Sequence, residues 1–114
     1  MKIYGVRVWV DDMAAARRFY GETLGLTAKW DMEMAVGYDL RTDLIVERSD
    51  GGEQGESLVG RFVGASIQVD DIQAAYEALT AKGVPFVGPP EKMPWGGTLA
   101  HFKDPAGNTL TLLQ

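Results

Sequence analysis

One stretch of this chain occurs twice. GVRVWVDDMAAA, Gly5 to Ala16, and GASIQVDDIQAA, Gly64 to Ala75, lie 59 residues apart and share six identities. Self-similarity at a fixed spacing means copies of one supersecondary unit, and at 114 residues there is room for two. Each copy reads as a strand alternating with period two, then an Asp pair, then a helix.

The strand alternation puts Val6, Val8 and Val10 on one face of the first copy and Ala65, Ile67 and Val69 on one face of the second, toward a helix. Asp12 and Asp71 stand where a helix N-cap is needed, because a short carboxylate can accept from the first-turn amides. Met13, Ala16, Phe19 and Tyr20, and then Ile72, Ala75, Tyr76 and Leu79, form the apolar stripes of two helices. Gly25 and Gly83 stop them, since glycine takes the left-handed conformation after a helix without a Cβ penalty.

Strands follow each helix: roughly 28–35, 36–40 and 44–47 in the first copy, and 85–87, 98–102 and 109–113 in the second. The expectation is an α+β fold of two tandem βαβββ modules in one domain. Module 1 covers about 1–48, a polar Gly-rich linker about 49–57, and module 2 about 58–114. Asp104-Pro105-Ala106-Gly107-Asn108 reads as the turn before the last strand. In WDMEMAV, Met32 and Met34 alternate with Asp31 and Glu33, which predicts a half-buried strand with its methionines inward in the core, or else facing the cup as an adaptable hydrophobic ligand surface.

Composition excludes several function classes. With 46% hydrophobic and 24% charged residues the chain suits an ordinary globular domain. It has no cysteine, which removes disulfides, thiolate zinc sites and a cysteine nucleophile, and a cytoplasmic location is expected. Its first residues lack the apolar core of a signal peptide, and no stretch approaches a membrane span. A net charge of −5 opposes a nucleic-acid partner and favours a neutral or cationic small molecule.

Two motifs then carry a family resemblance: Phe19-Tyr20-Gly21-Glu22-Thr23-Leu24-Gly25-Leu26 after an Asp-capped helix, and Phe102-Lys103-Asp104-Pro105-Ala106-Gly107-Asn108 before the last strand. With the repeat, they make the whole chain resemble the vicinal-oxygen-chelate superfamily of glyoxalase I, extradiol dioxygenases and bleomycin-resistance proteins. The resemblance implies an open, cupped mixed sheet with helices on its outer face, and a homodimer. Metal-dependent members place one ligand on the first and one on the last strand of each module. Here those positions match Gly5, Gly64, Thr111 and either Val46 or Glu47. Two glycines and a neutral hydroxyl leave the usual metal without a ligand set, and no cofactor is expected.

The cup face opposite the valines carries Gly5, Arg7 and Trp9, and in the repeat Gly64, Ser66 and Gln68. Arg7 could anchor an anionic group and Trp9 stack on a ring, or both could line a solvated face or a subunit contact. His101, the single histidine, falls on the cup side of LAHFKDP, as a general base, a hydrogen bond to ligand, or an exposed strand residue. Trp95, in the loop from Pro89 to Gly97, is either exposed aromatic surface or a ligand wall. The pairs Asp11-Asp12 and Asp70-Asp71 are accounted for by helix capping.

The expected ligand-binding set is therefore Arg7, Trp9, Ser66, Gln68, Trp95, His101 and Thr111, with no catalytic and no metal-ligating residue assigned. The functional expectation is a metal-independent protein of the bleomycin-resistance type, binding an aromatic or cationic compound in the cupped-sheet cavity. The alternative is an enzyme of the glyoxalase or dioxygenase kind, a lyase, isomerase or ring-cleaving enzyme, with an atypical or metal-free site.

Overall fold

In a computed structural model that describes residues 1–49 and 57–114, the repeat becomes two units. The expected linker at 49–57 lies almost wholly outside the described residues. The first unit comprises residues 1–61 with 105–108, and the second 62–104 with 109–114. The fold is α+β, with one four-stranded mixed sheet in each unit.

The first sheet has the order β1-β4-β3-β2, built from β1 (Gly5–Val10), β2 (Ala28–Met32), β3 (Ala35–Leu40) and β4 (Thr42–Arg48). β1 runs parallel to β4, and the other pairs are antiparallel. Val8, Val10, Val36, Tyr38, Leu44 and Val46 are buried on one sheet face. Met13, Ala16, Phe19 and Tyr20 of the helical segment are buried with them, and Tyr20 sits 5.9 Å from Tyr38 between ring centres.

The second sheet repeats the plan as β5-β8-β7-β6, from β5 (Phe62–Gln68), β6 (Glu91–Lys92), β7 (Thr98–Lys103) and β8 (Thr109–Leu113). Its core holds Ile72, Val84, Ala100, Phe102, Leu110 and Leu112. Tyr76, Phe86 and Phe102 form an aromatic chain with ring centres 4.9 and 5.7 Å apart. Among the described residues, no helix is long and apolar enough to cross a membrane.

Both helices begin as the Asp pairs predict. Asp12 accepts from the Ala15 amide and Asp71 from the Ala74 amide, each at 3.0 Å. The second helix, α2 (Ile72–Ala81), also receives Gln114, whose side-chain oxygen accepts from the Ile72 amide at 2.7 Å. Replacing Asp71 with Ala removes one of these acceptors at an exposed position. It is expected to lower stability by about 1 kcal/mol in urea unfolding, and an unchanged midpoint would contradict the capping role. Gly25 and Gly83 end the helical segments at φ 72° and 89°, as expected for left-handed stops.

Three local expectations are corrected. The first helix is not one α-helix: α1 (Met13–Arg17) widens into a π-helical turn over Arg18–Thr23. Two adjacent aromatics, Phe19 and Tyr20, must both be buried, and the wider turn, closed by Leu24 N–H to Phe19 O at 2.8 Å, accommodates them. The strand expected over 28–35 instead breaks after Met32 into a hairpin, since Met32 pairs with Ala35 around Glu33 and Met34. Arg17 draws this turn in through Asp31 at 2.9 Å and the Met32 carbonyl at 2.6 Å. Met32 and Met34 therefore point to solvent, 66% and 43% exposed, rather than inward.

In the second unit, the segment expected as a strand over 85–87 makes only a single bridge, Phe86 to Phe102. Pro85, Pro89 and Pro90 have no amide to donate to a ladder, and the edge strand forms later, at β6.

Candidate functional site

Alternation leaves one face of each sheet without a helix, and the chemistry-bearing side chains gather there. In the first unit, the register aligns Arg7 with Ile45, Gly37 and Trp30 in one row, and Trp9 with Glu47, Ala35 and Met32 in the next. Arg7 and Trp9 are thus brought together as predicted. The Arg7 guanidinium grips Glu47 in a fork, with Nη2 at 2.9 Å from both carboxylate oxygens and Nε at 3.1 Å from one. It also lies 4.7 Å above the Trp9 ring.

That pairing alters the role expected of Arg7. Its charge is offset by Glu47 across a partly solvated contact, 53% and 30% exposed, so the pair adds at most about 1 kcal/mol of stability. Its geometric effect is larger, because a planar cation bonded twice to a carboxylate holds one face of the indole covered. The Arg7 guanidinium is thus shared between the Glu47 carboxylate and the Trp9 ring.

Trp30 and Asp43 belong to this face and escape the single-strand reading. The Trp30 indole packs against Gly37, where any Cβ would collide with it. Its Nε1 lies 3.4 Å from Asp43 Oδ2, and Lys29 Nζ lies 3.3 Å from Oδ1, so the buried carboxylate has a partner on each oxygen. A glycine inside a strand next to a tryptophan-bearing strand is the signal that marks such a close approach.

In the second unit, Ser66, Thr111 and His101 fall in one row, and Gln68, Leu113 and Leu99 in the next. His101 Nδ1 lies 2.8 Å from Thr111 Oγ1. Phe62, which was not singled out from sequence, meets the imidazole edge-on at 5.6 Å and is 66% exposed. Trp95 sits in the 93–97 loop between β6 and β7, its ring folded over Gly97 of the same loop and largely exposed. Among the described residues it makes no ring contact with His101 or Phe62.

On the opposite, helix-covered face of the first unit, burial raises the Tyr38 phenol above its ordinary value. Asp31 adds to the rise and Arg17 opposes it. A shallow groove of about 240 Å³ on that side is bordered by Val10, Asp11, Asp12 and Pro105. Asp12 already spends an oxygen on its helix cap.

This geometry can be set beside known proteins. The family model of the Glyoxalase/Bleomycin resistance protein/Dioxygenase superfamily matches residues 2–112. The chain belongs to this superfamily. A superfamily member from Sphaerobacter thermophilus superimposes with a TM-score of 0.83 at 32% identity, covering 99% of this chain and 96% of that one. The Bacillus subtilis protein YurT is 32% identical over the full chain and 99% of its own length. A lactoylglutathione lyase from Agrobacterium tumefaciens shares the fold, with a TM-score of 0.80 at 20% identity over 98% of this chain and 92% of its own.

Membership makes the superfamily's metal positions a test that the register can perform. Ser66, the repeat partner of Arg7, pairs with Thr111, while Arg7 pairs with Ile45. The first-module counterpart of Thr111 is therefore Ile45, neither Val46 nor Glu47. Val46 lies in the core, and Glu47 is bound by Arg7. The four positions thus hold Gly5, Ile45, Gly64 and Thr111, which do not fit a divalent metal.

Gly5 also lacks room for a ligand. A Cβ there would lie 2.7 Å from Ile45 Cδ1 and 2.9 Å from the Asp43 carbonyl oxygen. Among the described residues, no three His, Asp or Glu side chains come together as a metal site elsewhere.

Proposed function

We propose that this superfamily member is a metal-independent small-molecule-binding protein of the bleomycin-resistance type. It takes an aromatic or cationic compound on its helix-free sheet faces. The observation that carries this reading is the occupancy of the four metal positions by Gly5, Ile45, Gly64 and Thr111, which supply no carboxylate or imidazole.

Binding is favoured by what those faces offer. Trp9 and Trp30 in the first unit and Phe62 in the second present aromatic surface beside a few fixed polar groups, the composition of a small-molecule site. The net charge of −5 favours a neutral or cationic compound over an anion and disfavours a nucleic-acid partner. A homodimer in the cytoplasm completes the proposal, and light scattering of the purified protein tests its assembly.

The deciding experiment is metal analysis of the untagged protein as purified, and again after exposure to nickel, zinc, manganese and iron(II) followed by desalting. Substoichiometric metal throughout is the expected result. Close to one metal per chain would overturn the reading and direct a search for lyase or dioxygenase activity. With metal absent, quenching of the tryptophan fluorescence by aromatic or cationic compounds is the expected sign of binding.

A further inference from the structure

The chain's single imidazole is held in a way that decides which of its nitrogens meets a ligand. His101 Nδ1 lies 2.8 Å from the Thr111 hydroxyl oxygen, and Thr111 is buried. Among the described residues, that hydroxyl has no other hydrogen-bond partner. If Nδ1 carried the ring proton, the buried hydroxyl hydrogen would be left without an acceptor, at a cost of about 1–3 kcal/mol. If the hydroxyl donates to Nδ1, only oxygen lone pairs go unused, which is the cheaper omission. The neutral ring therefore carries its proton on Nε2.

Nε2 has no protein partner among the described residues, while Phe62 packs edge-on against the same ring, 5.6 Å away and 66% exposed. An N–H donor thus stands beside exposed aromatic surface. Ser66, next in the same row, adds an exposed hydroxyl.

Resting on the binding function above, we infer that His101 is a hydrogen-bond donor fixed by Thr111, and that it selects aromatic ligands carrying an acceptor oxygen next to the ring. The acceptor takes the Nε2 hydrogen while the ring packs on Phe62. Thr111 is a positioning residue: it fixes the tautomer and does not touch the ligand. In this tautomer Nε2 has no lone pair with which to take a proton, so the geometry assigns His101 to recognition rather than to base catalysis.

Two readouts test this on the full chain. With one histidine, a 15N-labelled sample gives one imidazole spin system, read by long-range proton–nitrogen correlation at about pH 8.5, above the ordinary histidine range. The expected result is the Nε2–H tautomer alone, and Thr111→Val is expected to release it to the mixture of a free imidazole. In parallel, 2-acetylnaphthalene and 2-ethylnaphthalene, alike in shape and differing in the carbonyl, are titrated by fluorescence. The ketone is expected to bind about fivefold more tightly. That preference should vanish in His101→Phe, which keeps a ring against Phe62, and shrink in Thr111→Val.

An Nδ1–H tautomer, equal affinity for the two probes, or a preference that survives His101→Phe would overturn the inference while leaving small-molecule binding intact. If neither probe binds although the Nε2–H tautomer is found, the binding function itself falls, and the selection with it.

Discussion

Asn108→Ala is expected to lower stability by about 2–3 kcal/mol. The Asn108 side chain is fully buried and, among the described residues, makes at least three contacts to backbone. Its Oδ1 accepts from the amides of Gly60 at 2.8 Å and Arg61 at 3.0 Å, and its Nδ2 donates to the Trp9 carbonyl at 2.8 Å. Alanine leaves two amides and one carbonyl without their side-chain partner in part-buried contacts at the edge of the unit, where water can replace part of what is lost. The check is thermal unfolding followed by tryptophan fluorescence, with a drop in melting temperature of about 10 °C. Asn108→Asp separates geometry from charge: it keeps an acceptor for the two amides but points a carboxylate oxygen at the Trp9 carbonyl. It should recover only part of the loss.

The second large effect comes from making one substitution in both copies of the repeat. Gly5→His is expected to cost about 2–3 kcal/mol, the scale of overpacking a site that cannot relax. The added Cβ meets the Ile45 side chain, which can rotate away, and also the Asp43 carbonyl oxygen, which belongs to the paired β4 backbone and cannot. Gly64→His should stay within about 0.5 kcal/mol of the parent, because nothing lies within 4 Å of its Cβ position. Neither variant is expected to acquire nickel or zinc by calorimetry, since a single imidazole beside Ile45 or Thr111 is not a ligand set. A harmless Gly5→His would mean that the Asp43 carbonyl does not close that corner.

What could be read from sequence follows the range of the physics involved. Caps and stops are local, so Asp12, Asp71, Gly25 and Gly83 were legible from their immediate neighbours. Strand alternation is nearly as local, which is why the inward valines and the outward Arg7 and Trp9 were separable without a partner strand. Register is not local. It decides that Ile45 rather than Val46 or Glu47 stands opposite Arg7, and that Trp30 reaches across Gly37 toward Asp43. No periodicity within one strand contains that information.

The methionines show the opposite failure, a local pattern without a cause. Alternation through Met32 and Met34 reads as a buried strand face, yet a turn held by Arg17, far off in sequence, takes both into solvent. The Phe19-Tyr20 pair failed for a third reason. Adjacent aromatics on a regular helix point 100° apart, and only the need to bury both, beside Tyr38, forces the wider turn.

The turn at 105–108 bears on how such a chain assembles over time. These residues complete the first unit although they lie in sequence between β7 and β8, and the Asn108-to-Trp9 bond closes a separation of 99 positions. During synthesis Gly60 and Arg61 would leave the ribosome with their amides still waiting for a partner made 48 and 47 positions later. Contacts of such high sequence separation form slowly, because loop-closure entropy is lost before the bond repays it. The two copies of the repeat are thus not two independent folding events: the first-made unit reaches its final form only when the connection between β7 and β8 has been delivered.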